Sequence, residues 1–247
     1  MTYLPPAFLA STLSVNVTVF ATADHTQNVT TPVTVTVTSN HNVLNGAYVL
    51  QIQGSDGNNL FPFQSTGVFV FDGNGNITSG QQTLNTWDGF STTSTLQASD
   101  IAASTYSVGS DGRGDITLNF QQGNQETFTF TVLSSAQALV AEVDSNTGSG
   151  TLELQDAAAA GTMPTGAYAF VTNGSDSGNG PGFGSPVPTA LGGVFNIDNT
   201  GSISGNRSLA DQDYFQLLSC APPSGETGTV SQPVSLGIVT ISLTGAT

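Results

Sequence analysis

The amino-acid sequence predicts an all-β fold made of tandem antiparallel β-sandwich or up-and-down barrel modules, with incomplete modules at both ends. Short runs of apolar residues alternate with polar residues at the period of two that strands show. Turn signals rich in Gly, Asn and Asp separate these runs, and the 247 residues include 29 glycines. No stretch of the sequence has the apolar spacing of a long amphipathic helix.

The composition is acidic and unusually poor in charge. Charged residues make up 8% of the chain, against about 25% in an average soluble domain. The formal net charge is -15, and the chain has 2 basic residues and no lysine. Nucleic acids and anionic surfaces bind clustered Lys and Arg, so we expect no nucleic-acid partner. No apolar run approaches the about 20 residues of a membrane span, so we expect no membrane insertion.

The clearest local unit is a predicted β-hairpin at 66–84. The sequence VFVF at 68–71 has the β-branched and aromatic character that favours strands. The sequence DGNG at 72–75 tolerates the positive φ angles of a two-residue hairpin turn. A related stretch, GGVFNIDNTGSISG at 192–205, indicates that the unit is repeated.

This repetition divides the chain into four predicted segments. Residues 1–43 hold two alternating runs and predict a partial immunoglobulin-like β segment, since a complete module needs about seven strands. Residues 44–156 predict a complete β repeat module of about eight short strands. A small-residue linker at 157–164 precedes a second, truncated module at 165–247, in which counterparts of the last three strands are missing.

Incomplete modules would leave unpaired strand edges, which are unstable or adhesive. One explanation is that the sequence is a fragment of a longer repeat protein. The other is that the N-terminal strands of one copy complete the C-terminal sheet of the next. A head-to-tail contact that does not close builds a filament, so the expected partners are copies of the chain itself in a head-to-tail polymer.

Three stretches within 44–156 resemble a repeat found in large secreted or surface proteins of acidobacteria: TGVFVFDGNGNITSG, STYSVGSDGRGDITLNF and SSAQALVAEVDSNTGSGTLELQ. In those proteins the repeat often follows bacterial immunoglobulin-like modules. The resemblance implies an extracellular or cell-surface location and a structural or adhesive role, and it supplies no catalytic residues.

These observations together predict a non-enzymatic, extracellular structural protein, a surface filament subunit assembled by β-strand complementation. The alternative is an adhesive or carbohydrate-binding module of a longer surface protein, with surface glycans as its partners. A third hypothesis is a barrel that encloses a small ligand.

Calcium is the one candidate cofactor. Asp72, Asn74 and Asn76 have the spacing of the first three oxygen ligands of a calcium loop. Thr83 stands about where the loop requires a bidentate acid, so the pattern favours a plain turn. His25 and His41 lie in polar segments without a metal-ligand cluster, and we expect them to be solvated loop residues.

Two aromatic residues, Trp87 and Phe90, are candidates for stacking on sugars, although aromatic residues more often fill a core. The tripeptide Arg113-Gly-Asp115 matches an integrin-binding motif, but its glycine also suits a hairpin turn. Cys220 is the single cysteine, which excludes an internal disulfide and predicts an inert thiol.

Pairs of acids for glycoside hydrolysis are the remaining catalytic candidates. Glu142 and Glu153 alternate with apolar neighbours, so we expect both to face solvent. The acids that could meet are Asp88, Asp100, Glu126, Glu142 and Glu153. We expect no enzyme activity from them.

Overall fold

The structure is a computed structural model, and it describes residues 13–20, 28–35, 40–57, 61–86, 91–120, 124–176, 187–213, 216–218 and 224–245. In these ranges the strands form three antiparallel sheets, and the single α-helix, α1, spans Ala98–Ala103. The prediction of an all-β fold is therefore confirmed. None of the helices in these ranges has the length and apolar character needed to cross a lipid bilayer.

The first sheet is a pair and the second has nine strands. The pair consists of β1 (Leu13–Phe20) and β2 (Asn28–Val35). The nine strands are β3 (Asn45–Ser55), β4 (Pro62–Asp72), β5 (Ile77–Thr86), β6 (Ser91–Thr95), β7 (Thr105–Val108), β8 (Arg113–Phe120), β9 (Asn124–Ser134), β10 (Gln137–Glu142) and β11 (Thr147–Leu154). Their spatial order is β6-β5-β4-β3-β11-β10-β9-β8-β7.

The third sheet has six strands. They are β12 (Gly166–Asp176), β13 (Val187–Ile197), β14 (Ser202–Asp213), β15 (Gln216–Leu218), β16 (Ser224–Val230) and β17 (Ile241–Gly245). The main path runs β12-β13-β14-β16-β17, and β15 pairs with the far end of β14.

The nine-stranded sheet curls until the β5 side meets the β7–β8 side along a line that we call the seam. The Tyr106 amide donates to the Gly75 carbonyl oxygen at 2.9 Å, and the Ile77 amide donates to the Ser104 carbonyl oxygen at 3.3 Å. Helix α1 lies between β5 and β8 and contacts both strands. The Asn119 amide fixes this segment to β8 by donating to Ser104 Oγ at 3.0 Å. These backbone bonds and the contacts of α1 join the two sides of the sheet along the seam.

One apolar core lies inside this curled sheet. It contains inward-facing residues of eight of the nine strands, and Leu96 is added from the segment before α1. Phe71 lies at its centre, with edge-on contacts to Tyr48 at 5.3 Å and Tyr106 at 5.0 Å between ring centroids. The Tyr48 hydroxyl donates to the Ser135 carbonyl oxygen at 2.7 Å. Such aromatic pairs contribute about 0.5–1.5 kcal/mol each beyond the area that they bury.

The predicted hairpin at 66–84 is present as β4 and β5, but its turn is longer than the two residues expected. Phe71 pairs with Ile77, and a register shift follows at Val70. Gly73 and Gly75 take positive φ angles of 76° and 101° in the connection, which favours glycine there. The prediction of a two-residue turn was wrong because the Asp72 carboxylate organises a wider loop.

The related stretch at 192–205 has the same strand register. Tyr48 pairs with Phe69 between β3 and β4, and Tyr168 pairs with Phe195 between β12 and β13. Among the residues whose burial is described, the second apolar core has four buried members: Phe195, Ile197, Ile203 and Val230.

Candidate functional site

The Asp72 loop is held together by its own side chains. Asp72 Oδ1 accepts hydrogen bonds from the amides of Asn74 at 2.7 Å and Asn76 at 3.0 Å. Asp72 Oδ2 accepts a bond from Asn76 Nδ2 at 2.7 Å. Burial acts to raise the pKa of Asp72, but the bonds from Asn76 and Asn74 outweigh it and lower the pKa. The carboxylate is therefore engaged within the turn, and calcium binding at Asp72, Asn74 and Asn76 stays a prediction.

In other turns, too, an aspartate carboxylate accepts hydrogen bonds from residues of the same turn. Asp198 Oδ1 accepts bonds from the Thr200 hydroxyl at 2.7 Å and the Ser202 amide at 2.9 Å. Asp111 Oδ2 lies 2.7 Å from Arg113 Nη2, and this bond to the guanidinium lowers the pKa of Asp111. In the described ranges no three His, Cys, Asp or Glu side chains group as a metal site requires.

The stacking candidates Trp87 and Phe90 lie outside the described residues, as do His25, Asp88 and Cys220. The Arg113-Gly-Asp115 motif begins β8, where Asp115 is half-buried. His41 is not a fully solvated loop residue as expected. It lies in a 3-10 turn with its ring 5.6 Å from the Tyr106 ring, and its Nε2 atom is buried without a partner.

An acid cluster lies inside the curled sheet. Gln82 on β5 is 4% exposed, and its Nε2 atom donates to Glu126 Oε1 on β9 at 2.6 Å. Four strands separate β5 from β9 along the sheet, so this bond crosses the interior. Glu142 and Asp144 lie nearby and act on the charge of Glu126. The described part of the cluster consists of acceptors and amides without a cation.

Glu142 contradicts the expectation that it faces solvent. It is 7% exposed and lies on the inner face of β10 with Ala138 and Val140. Leu139 points outward and is 51% exposed. Both faces of β10 are equally apolar in the sequence, so the alternation did not determine which face is buried. Glu153 is exposed on β11, as expected.

The protonation of Glu126 is shifted toward neutral pH. Burial above all, together with the charges of Glu142 and Asp144, raises the pKa of Glu126 to about 7 against the opposing effect of the Gln82 bond. Burial also raises the pKa of Glu142. Glu142 Oε2 and Gln82 Oε1 are buried without a hydrogen-bond partner. Within the cluster, Glu126 can therefore hold and release a proton near neutral pH.

Sequence reasoning missed the role of Gln82, although the signal for Glu126 was available. Glu126 shares the parity of Phe128 and Phe130 on β9, and both phenylalanines are buried. No comparable apolar alternation marks Gln82 on β5, because its neighbours in the sequence are Gln81 and Thr83. The side-chain bond between β5 and β9 across the interior follows from the curl of the sheet, which a local pattern does not encode. Asp100, another acid candidate, instead accepts a bond from the Gln97 amide at 2.8 Å at the start of α1.

The six-stranded sheet exposes residues whose counterparts in the nine-stranded sheet are buried. Tyr168 is 39% exposed, whereas Tyr48, in the same register, is 1% exposed. Tyr48 is covered by the β9–β10 connection, where its hydroxyl bonds Ser135. The Tyr168 hydroxyl instead bonds the nearby Thr165 carbonyl oxygen at 3.3 Å. The inner face of the six-stranded sheet therefore has less cover at this position.

The two edge strands of the six-stranded sheet each have a single described neighbour. Among the described strands β12 pairs with β13 alone, and β17 pairs with β16 alone. Ile241 on β17 lies opposite Val230, which belongs to the second apolar core, yet Ile241 is 44% exposed. Both edges therefore carry backbone groups that a further strand could pair with.

Comparison of the chain with models of known protein families, with curated proteins and with solved structures finds no match in any of the three.

Proposed function

We propose that the protein is an extracellular structural protein, a surface filament subunit whose copies add β-strands to one another head to tail. The observation that carries the proposal is the exposed inner face of the six-stranded sheet, above all Tyr168 in the register that buries Tyr48. The strand register that the two sheets share also supports the hypothesis of two tandem repeat modules. In this proposal, strands of another copy complete the second module. Added strands would cover the apolar face and pair the edges at β12 and β17.

The donor in this proposal is the β1–β2 pair. Among the described strands these two pair only with each other, and an isolated two-stranded hairpin is marginally stable in water. By register, Leu13, Val15 and Val19 lie opposite Val35, Val33 and Val29, so apolar positions share one face of the pair. Docking this pair on the open sheet would stabilise both partners.

The surface location rests on composition and on sequence resemblance. A chain without lysine has few sites for trypsin-like proteases. The three stretches quoted from 44–156 resemble a repeat of secreted acidobacterial proteins. The protein in this proposal has no catalytic role, and the acid cluster serves the fold.

The test is negative-stain electron microscopy with light scattering on the purified chain. We expect filaments of wild-type protein. A variant lacking residues 1–39 keeps the acceptor sheet but has no donor strands, so we expect it to stay monomeric. Added to the wild type, it should cap growing filaments and shorten them in proportion to its share of the mixture.

A matched pair of substitutions tests the acceptor. Ile241→Lys places a charge on the inner face of edge strand β17 and should abolish filaments. Leu139→Lys changes an equally exposed apolar residue on β10, which has neighbours on both sides, and should leave filaments intact. A monomeric wild-type chain, or filaments that persist in Ile241→Lys, would contradict the proposal. The monomeric outcome would favour the adhesive module of a longer protein.

A further inference from the structure

We propose that the outer face of the nine-stranded sheet, across β11, β3, β4, β5 and β6, is a binding platform for a neutral glycan. The platform lies on a different sheet from the open edges and does not depend on filament assembly. It is formed by two rows of side chains that run across the strands.

The rows follow from the strand register. Residues paired across antiparallel strands lie side by side on one face of the sheet. The first row is Thr151, Gln51, Thr66, Thr83 and Thr93. The second row is Ser149, Gln53, Gln64, Asn85 and Ser91. Every member of both rows is an amide or a hydroxyl, and every member is exposed or half-exposed.

The dimensions suit an extended polymer. Neighbouring strands lie about 4.8 Å apart, so each row extends about 19 Å across five strands. The rows are two residues apart along the strands, which is about 7 Å. Thr83 Oγ1 and Thr93 Oγ1 lie 3.0 Å from each other, so the hydroxyls of adjacent strands are in direct contact. A chain of sugars lying across the strands would meet a polar group at each strand.

A concavity of about 250 Å³ lies within the platform. Polar side chains from three strands surround it: Gln51, Gln53, Gln64, Thr66, Ser149 and Thr151. Gly150 also lines the concavity. Glutamine amides offer both donors and acceptors, and hydroxyls offer the same. This set complements the hydroxyl groups of a sugar.

The charges and the lack of aromatic or Arg anchors disfavour anionic polymers and protein partners as ligands of the platform. The two rows contain no ionised side chain, and the chain carries a net charge of -15, which repels anionic polymers. Protein interfaces draw their affinity from buried aromatic and Arg anchors, and the rows contain neither. The central strands β3 and β4 each pair with two neighbours, so the backbone under the platform is fixed before binding.

The test is native affinity electrophoresis of the full chain carrying Ile241→Lys, which we expect to be monomeric, in gels containing hydroxyethylcellulose, galactomannan, xylan or dextran, with polygalacturonate as the anionic comparison. We expect retardation by at least one neutral polymer and none by polygalacturonate. The combined variant Gln51→Ala, Gln53→Ala and Gln64→Ala keeps the charge and should bind about tenfold more weakly or worse, because it removes several hydrogen-bonding groups.

A control variant changes the outer face elsewhere on the same sheet. Gln125→Ala, Thr131→Ala and Gln137→Ala lie on β9 and β10 and should leave retardation unchanged. Circular dichroism and light scattering confirm that all variants share fold and assembly state. Retardation by no neutral polymer, or equal retardation of the platform variant, would overturn the proposal. So would a loss caused by Trp87→Ala alone, because binding would then belong to the segment at 87–90.

Discussion

Partial burial, with Glu142 and Asp144 nearby and no cation among the described neighbours, raises the pKa of Glu126 to about 7. Asp72, Asp111 and Asp198, by contrast, accept hydrogen bonds within turns. Glu126 differs because the alternation of β9 places it on the face of two phenylalanines. Its one observed partner, Gln82, belongs to a strand on the other side of the core.

The raised pKa of Glu126 predicts an unusual pH dependence of stability. The folded protein keeps this proton up to about pH 7, whereas the unfolded chain releases it near 4.5. The stabilising contribution is therefore complete below 4.5 and is lost as pH rises to 7, by about 3 kcal/mol at most. Urea unfolding at pH 5 and pH 8 should show lower stability at pH 8.

Glu126→Gln should reduce this pH dependence, because the amide does not ionise, whereas Glu142, whose pKa burial also raises, keeps a part of it. Glu153→Gln, at an exposed acid on β11, should leave it unchanged. The acids whose pKa is lowered, Asp72, Asp111 and Asp198, lose their stabilising contribution below their ordinary pKa and do not act in this window. A wild-type protein that is equally stable at pH 5 and pH 8 would show that Glu126 is solvated.

Tyr48 and Tyr168 form a matched pair for mutation. Tyr48→Phe removes the 2.7 Å bond to the Ser135 carbonyl oxygen and should lower the free energy of unfolding by about 1 kcal/mol. Tyr168→Phe, at a hydroxyl with a 3.3 Å bond on an exposed ring, should change it by about 0.5 kcal/mol or less in the monomer. Thermal unfolding measures both. Equal effects would mean that the two rings have the same cover.

The β4–β5 hairpin is the element that the sequence described best. The positions of β4 and β5 followed from alternation and from the DGNG turn signal. The length of the turn did not, because Asp72 accepts bonds from two amides and an Asn side chain, and a turn signal does not encode that network. The short strand β6 and helix α1 were also missed, since their Ser/Thr-rich and six-residue segments lack a measurable period.

Asp72→Ala separates a turn from a calcium loop. We expect the substitution to destabilise the chain by about 1 kcal/mol, because three hydrogen bonds of the loop are lost. Calcium chloride should leave the melting temperature of both proteins unchanged. A calcium-dependent rise in the wild type that is absent in Asp72→Ala would instead establish the metal site.

At the scale of the whole molecule, local sequence patterns predicted the fold class but not the contacts between distant strands. Composition and alternation predicted the all-β class, because both report on burial at every strand. The sequence could not reveal the curl of the nine-stranded sheet, the α1 contact at the seam or the acid cluster. All three depend on contacts between strands far apart in the chain, and a local period carries no information about such contacts.

The net charge of the whole molecule predicts that salt promotes assembly. Copies that each carry a charge of -15 repel one another, and the screening length falls from about 30 Å at 0.01 M salt to about 8 Å at 0.15 M. We expect light scattering at fixed protein concentration to increase with sodium chloride over this range. Filaments that dissolve as salt rises would show that ion pairs hold the copies together.

The first and last strands of the nine-stranded sheet in chain order, β3 and β11, are neighbours in the sheet. This arrangement determines how the sheet responds to tension. Antiparallel β3 and β11 pair Tyr48 with Leu154, and the Gln155 amide donates to the Ala47 carbonyl oxygen at 2.8 Å. The chain thus enters and leaves the sheet at the same end. A pull on these two points acts along the hydrogen bonds between the strands and breaks them one rung at a time. Each residue released adds about 3.3 Å of length, so under load this sheet extends rather than behaving as a rigid rod.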